Sequence, residues 1–135
     1  MGLETLLRII FSYLIGSISG SMLMGKIRGV DIRTMGSGNA GGTNAFRTQG
    51  TLFALSVVII DIGKGYLATY YISGDFGQGS HLGVLCGIAA VLGHVYPVYY
   101  NFKGGKGAGT LIGVLGVLFP LCIPFALLSW FLVLV

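Results

Sequence analysis

The chain has 135 residues, of which 54% are apolar and 9% charged, with a formal net charge of +4. Soluble domains carry about 25% charged residues, so this composition excludes a water-soluble globule and reads as an integral membrane protein. The eight Lys and Arg are clustered rather than spread, which makes their position more informative than their sum.

The first predicted helix runs from about Thr5 to Gly25. The start "MGLETLLR" sets Glu4 beside Arg8, unlike the purely basic start of a cleaved signal peptide, so this helix is read as retained. Its "GSISGSMLMG" segment offers Gly16, Ser17, Gly20 and Ser21 as small faces for close helix packing. A polar stretch, residues 26–50, follows. It contains "GSGNAGGTNAFR" and carries Lys26, Arg28, Arg33 and Arg47 against Asp31 alone.

The second helix spans about Thr51 to Ile72 and holds Asp61 and Lys64, which are three residues apart and share one face. Ionisable groups within a span are functional candidates, but the preferred reading here is a structural ion pair facing the bundle. The connector 73–80 carries only Asp75. The third helix covers about His81 to Tyr100, with Pro97 near its end. After the short basic stretch 101–107, with Lys103 and Lys106, the fourth helix runs from about Ala108 to the end, kinked by Pro120 and Pro124.

The expected fold is all-α: one membrane domain over residues 1–135, a polytopic transmembrane bundle of about four spans joined by glycine-rich cytoplasmic loops. Cys86 and Cys122 lie in apolar runs and read as small hydrophobes rather than a disulfide. Lys and Arg collect in cytoplasmic loops. Residues 26–50 and 101–107 are separated by two helices, so both face the cytoplasm and the amino terminus faces outward. No charged residue follows Lys106. A span ending without a polar tail or anchor raises the expectation that a carboxy-terminal part is missing, or that this is an unusually short form.

Two basic glycine loops on one side suit anions. Glycine permits φ > 0, so that successive N–H groups converge on one centre, and cations add charge and bidentate geometry. The first loop offers Gly36, Gly38, Gly41 and Gly42 with Ser37, Asn39, Thr43, Asn44 and Arg47. The second, "FKGGKGAGT" (102–110), offers Lys103, Gly104, Gly105, Lys106, Gly107 and Thr110. Either loop alone could be a plain connector; two basic ones on one face point to a phosphate cradle.

A Walker A loop is excluded, because Tyr100 and Gly107 stand where it needs Gly and Ser or Thr. A His-x4-Asp acyltransferase motif is absent too: Cys86 lies five residues beyond His81, and Tyr99 five beyond His94. No Cys–His pair or metal-ligand cluster appears, and nothing calls for a cofactor or a nucleic acid. His94 reads as a hydrogen-bonded structural residue ahead of a base. Without a base, the chemistry calls for a substrate that is already activated.

"GSGNAGGTNAFR", "DIGKG" and "GHVYPVYYNFKGGKGAGT" resemble the bacterial membrane glycerol-3-phosphate acyltransferases that use acyl phosphate as donor. The resemblance extends through nearly the whole chain from "YLIGSISGS" onward. It implies a bacterial inner-membrane enzyme of about seven spans with a cytoplasmic active site. The implied reaction acylates the 1-hydroxyl of glycerol 3-phosphate, giving lysophosphatidic acid and phosphate in the first acylation step of phospholipid synthesis. The partners are then membrane lipid and a separate enzyme that makes acyl phosphate.

The resemblance places Ser37, Thr43 and Arg47 on functional positions of the first motif, and Lys103, Gly104, Gly105, Lys106 and Gly107 on the phosphate loop. Ser37, Arg47 and Lys106 are expected to be catalytic. Asn39, Thr43, Asn44, Lys103, Gly104, Gly105, Gly107, Thr110 and His94 are expected to bind substrate. Gly42 stands where the family commonly has Ala, and "GAGT" where it has "GVAT". A third family motif, with His, Arg, Asn and Glu, has no counterpart in these residues. The competing reading is a non-enzyme: an anion channel or transporter subunit, or an inactive short relative, with Asp61 and Lys64 suiting a pore.

Overall fold

A computed structural model describes residues 2–74, 80–125 and 128–129. Asp75 and the run "WFLVLV" lie outside the described residues, as does most of the fourth helix beyond Phe125. All the elements that position the site are helical: α1 (Leu3–Gly16), α2 (Gly20–Arg28), α3 (Gly42–Gln49), α4 (Thr51–Leu67), α5 (His81–Val95) and α6 (Ala108–Leu118). Among the described residues two helical segments, Thr51–Ile72 and His81–Tyr100, are long and apolar enough to cross a membrane, and α1 with α2 makes a third span if the bent pair counts as one.

The first expected helix is therefore broken rather than continuous, with a bend of 42° between α1 and α2. The cause lies in Ser17–Ser19. Ser17 Oγ donates to Tyr13 O, which competes for a helix carbonyl. Ser19 takes an extended conformation and caps the restart, its side chain accepting from Met22 N–H. The break frees backbone groups inside the bundle, and the side chains that satisfy them come from α4.

The fourth helix is interrupted at Pro120, and helical geometry resumes at Cys122. α6 ends at Leu118, just before Pro120, because proline restricts its predecessor and contributes no N–H. At the opposite end of the bundle, Arg8 Nη1 donates to Ile72 O at 3.0 Å. This satisfies a carbonyl at the end of the π-helical turn Ala68–Ile72 that prolongs α4.

Packing rests on small residues, as close helix approach in a membrane requires. α1 lies on α5 and α4 on α6. A side chain at Gly16 would strike the backbone of Ala90, and one at Gly93 would strike Tyr13 O. On the other seam, Gly65 abuts Thr110 O and Gly113 abuts Ile62 O. Gly93→Ala is expected to cost about 1–3 kcal/mol through overpacking, read as a lower thermal midpoint in detergent. Gly63→Ala is the control: nothing lies within 4 Å of its new methyl, so its midpoint should hold or rise slightly.

Candidate active site

The stretch 26–50, expected as a loop, is largely ordered by its own hydrogen bonds. α2 closes at Gly29 in the left-handed conformation, φ 71°. The Asp31 carboxylate then accepts from Arg33 N–H at 2.9 Å and from the Arg33 guanidinium at 3.0 and 3.1 Å. Arg33 also donates to Tyr100 O at 3.1 Å, and the Lys26 ammonium sits 5.7 Å from the Tyr100 ring centre. Arg28 bonds Gln49 O and covers the Phe53 ring. Three of the basic residues that marked this stretch thus fasten it, Lys26 and Arg33 to Tyr100 and Arg28 to Phe53 of α4.

Hydrogen bonding by Arg33 holds the Asp31 carboxyl below the usual carboxylate range. With the folded value depressed, the contribution is present above the unfolded value and lost as pH falls through the folded one. This clasp is indifferent to pH near neutrality.

The second half of the motif is not a loop, because "GTNAFRTQ" forms α3. Ala45 and Asn44 face inward, with Ala45 in one apolar cluster with Ile32, Phe53, Ala54 and Val57. Thr43 and Arg47 are exposed and, four residues apart, share the outer face. Asn44 was expected to touch substrate; the structure gives it the task of holding the loop. It is 2% exposed. Its Nδ2 donates to the carbonyls of Ile32, Met35 and Asn39, and its Oδ1 accepts from Ser37 N–H. Gly36, at φ +55°, lies so close to Asn44 Oδ1 that a side chain would collide with it. Asn44→Ala leaves the buried Ile32 carbonyl and three part-buried groups without this partner and is expected to cost about 1–3 kcal/mol. Amide exchange at Ser37 would rise, whereas Thr43→Ala should leave it unchanged.

The second loop turns through Asn101 and Phe102, both left-handed. Its glycines differ from the expected nest. Gly104 N–H donates to Val95 O and Gly105 N–H to His94 O, each at 3.2 Å, so both cap the end of α5 rather than face a ligand. These glycines are needed for approach: Gly105 packs against His94 Nε2 and lies next to Ala40 O, which would sit 2.9 Å from an added Cβ. This contact joins the two loops. Gly107, at φ 83°, turns the chain into α6. Leu111 N–H reaches back to Gly107 O, which leaves the first-turn N–H groups of α6 as the donors at this end. Lys106 immediately precedes them.

Ser37, Thr43, Arg47, Lys103 and Lys106 are exposed, and Asn39 is half-buried. Among the described residues, the side chains of Arg47, Lys103 and Lys106 enter no hydrogen bond, ion pair or ring contact. Thr110 points inward: it is fully buried and its Oγ1 has no partner.

Beneath the loop seam lies a cluster that sequence spacing did not assemble. Lys64 Nζ is 3.2 Å from Asp61 Oδ1, 2.8 Å from His94 Nδ1 and 2.6 Å from Ile18 O. Asp61 Oδ1 also accepts from Gly20 N–H at 3.1 Å. Asp61 and Lys64 thus satisfy both sides of the break between α1 and α2. Their side chains are 5% and 4% exposed, so the pair is neutralised in the packed interior and leaves no charge to line a pore. The three-residue spacing signalled the ion pair, but His94 joins it only through the packing of α5.

The fold defines an all-α integral membrane protein whose two glycine-rich loops meet at one end of the bundle. Residues 6–135 match the family described as glycerol-3-phosphate acyltransferase. The chain belongs to that family. It is 40% identical to the glycerol-3-phosphate acyltransferase of Aquifex aeolicus over 128 residues, 95% of this chain and 67% of that protein. It is 47% identical to that of Symbiobacterium thermophilum over 117 residues, 84% of this chain and 56% of that one. Among solved structures it is similar to PlsY, an integral membrane glycerol 3-phosphate acyltransferase, in its glycerol 3-phosphate form. That likeness has a TM-score of 0.89 at 40% identity, covering 96% of this chain and 64% of the other. The lysophosphatidic acid form matches with a TM-score of 0.84 at 40% identity, covering 93% and 62%. The chain spans about half to two thirds of the length of the relatives it matches.

Proposed function

We propose that the chain carries the phosphate-handling part of an enzyme that transfers a fatty acyl group from acyl phosphate to the 1-hydroxyl of glycerol 3-phosphate. The observation that carries this reading is the close approach of Ala40 O to Gly105, near enough that an added Cβ would lie 2.9 Å from it. It brings the two loops together, and among the described residues the loop cations Arg47, Lys103 and Lys106 enter no hydrogen bond or ion pair. Acyl phosphate is a mixed anhydride and needs no further activation, and both substrates bring phosphate.

Lys106 and Arg47 neutralise the phosphates and stabilise the charge that develops as the hydroxyl oxygen bonds the acyl carbon. Ser37, Asn39 and Thr43, with the first N–H groups of α6, orient the two groups. The new C–O ester bond forms as the bond from the acyl carbon to the phosphate oxygen breaks. A donor phosphate oxygen takes the hydroxyl proton, and phosphate leaves. His94 is buried with Nδ1 engaged, which fits the absence of a protein base.

The charge distribution supports a bacterial inner-membrane setting with both loops cytoplasmic and the amino terminus outside. The acyl phosphate then comes from a separate soluble or peripheral enzyme. Protein reconstituted in vesicles with acyl phosphate and labelled glycerol 3-phosphate provides the test. Lysophosphatidic acid and phosphate formed in equal amounts are expected; phosphate flux without lipid product would favour the channel reading instead.

A further inference from the structure

We propose that the buried Asp61–Lys64–His94 cluster is a positioning device that locks the His94 tautomer and thereby sets the second glycine loop against the first. The inference rests on the proposed function only for what the loops bind.

Lysine has three N–H donors and no acceptor. Lys64 Nζ has three acceptors around it: Ile18 O at 2.6 Å, His94 Nδ1 at 2.8 Å and Asp61 Oδ1 at 3.2 Å. As an ammonium Lys64 thereby uses all three donors, and His94 Nδ1, nearer to Lys64 Nζ at 2.8 Å than to Asp61 Oδ1 at 3.5 Å, is assigned the acceptor role. A ring that accepts at Nδ1 carries its proton on Nε2. Nε2 is the atom packed against Gly105, at the point where Ala40 O also arrives. The same residue's carbonyl holds Gly105 N–H at 3.2 Å. His94 therefore grips the second loop through its ring and its backbone together.

The other end of the cluster fixes Ile18 and Gly20 at the helix break. Small residues admit the cluster: an added Cβ at Gly109 would lie 3.1 Å from Asp61 Cβ, and one at Gly20 would lie 3.2 Å from Asp61 Oδ1. The helix break, α4, α5 and both loops are registered on one ammonium group.

The test uses 15N-histidine-labelled protein in detergent micelles at neutral pH, with His81→Gln leaving one imidazole to observe. The expected spectrum shows His94 protonated on Nε2 and not on Nδ1. The neutral pair Asp61→Asn/Lys64→Met avoids a buried unpaired charge, so it folds. In that variant the ring should become a mixture of tautomers, and Gly105 amide exchange should accelerate. Glycerol 3-phosphate affinity is expected to fall about 10- to 100-fold, the range seen when groups that orient a ligand-contacting residue are removed.

His94→Gln, which can place a donor at the Nε2 position, is expected to keep Gly105 protected, whereas His94→Asn is not. Equal behaviour of these two variants would reduce His94 to packing and overturn the proposal. So would an Nδ1-protonated or cationic ring in the otherwise unmodified chain. Should that chain fail to bind glycerol 3-phosphate, the functional reading falls, while tautomer and exchange still decide the role of the cluster.

Discussion

Lys106→Ala is expected to lower kcat/KM for acyl transfer about 100- to 1000-fold. The effect is electrostatic. Lys106 precedes Gly107, whose left-handed turn opens α6, so its ammonium and the first-turn N–H groups can act on one phosphate. A preorganised donor aimed at developing charge is worth about 3 to 4 kcal/mol when removed, which corresponds to that loss. Lys103→Ala is expected to do less, because Lys103 precedes Gly104 and Gly105, whose N–H groups are tied to the end of α5. Steady-state kinetics of the two variants side by side provide the check. A Lys106→Ala enzyme with near-normal turnover would remove Lys106 from the mechanism.

Lys64→Ala is expected to destabilise the fold by about 3–5 kcal/mol, because it strands a buried carboxylate on α4 and frees Ile18 O at the helix break. Replacing both partners, as in Asp61→Asn/Lys64→Met, should recover most of the loss, since no charge is then left unpaired. Thermal midpoints in detergent for the single and double variants separate the two cases. A single variant as stable as its parent would mean that the cluster contributes nothing to holding α1, α2, α4 and α5 together.

The spans at Thr51–Ile72 and His81–Tyr100 were legible from hydropathy because a bilayer demands about 20 apolar residues in a row. The break at Ser17–Ser19 was not. "GSISGS" reads equally as small-residue packing, and the groups that satisfy the unwound backbone, Lys64 and Asp61, are more than 40 positions away in sequence.

Composition also marked both glycine loops and their cations, but it could not sort their members. Asn44 looks like a ligand-binding amide until its partners, the carbonyls of Ile32, Met35 and Asn39, are in place. Gly104 and Gly105 look like a nest until their N–H groups are seen to close α5. In both cases the missing information is tertiary: a hydrogen-bonding group has the same identity whether it faces a ligand or its own backbone. Arg33 and Lys26 illustrate the same point, since their charge serves to clasp Tyr100.

The two loops are proposed to form a single phosphate site. Titration of 15N-labelled protein with glycerol 3-phosphate, followed through backbone amide shifts, tests it most directly. Amides of Ser37 and Thr43 in the first loop and of Gly107, Ala108 and Gly109 in the second are expected to shift together with one dissociation constant, and Lys106→Ala is expected to weaken both sets equally. Shifts confined to one loop, or two sets with different dissociation constants, would contradict it.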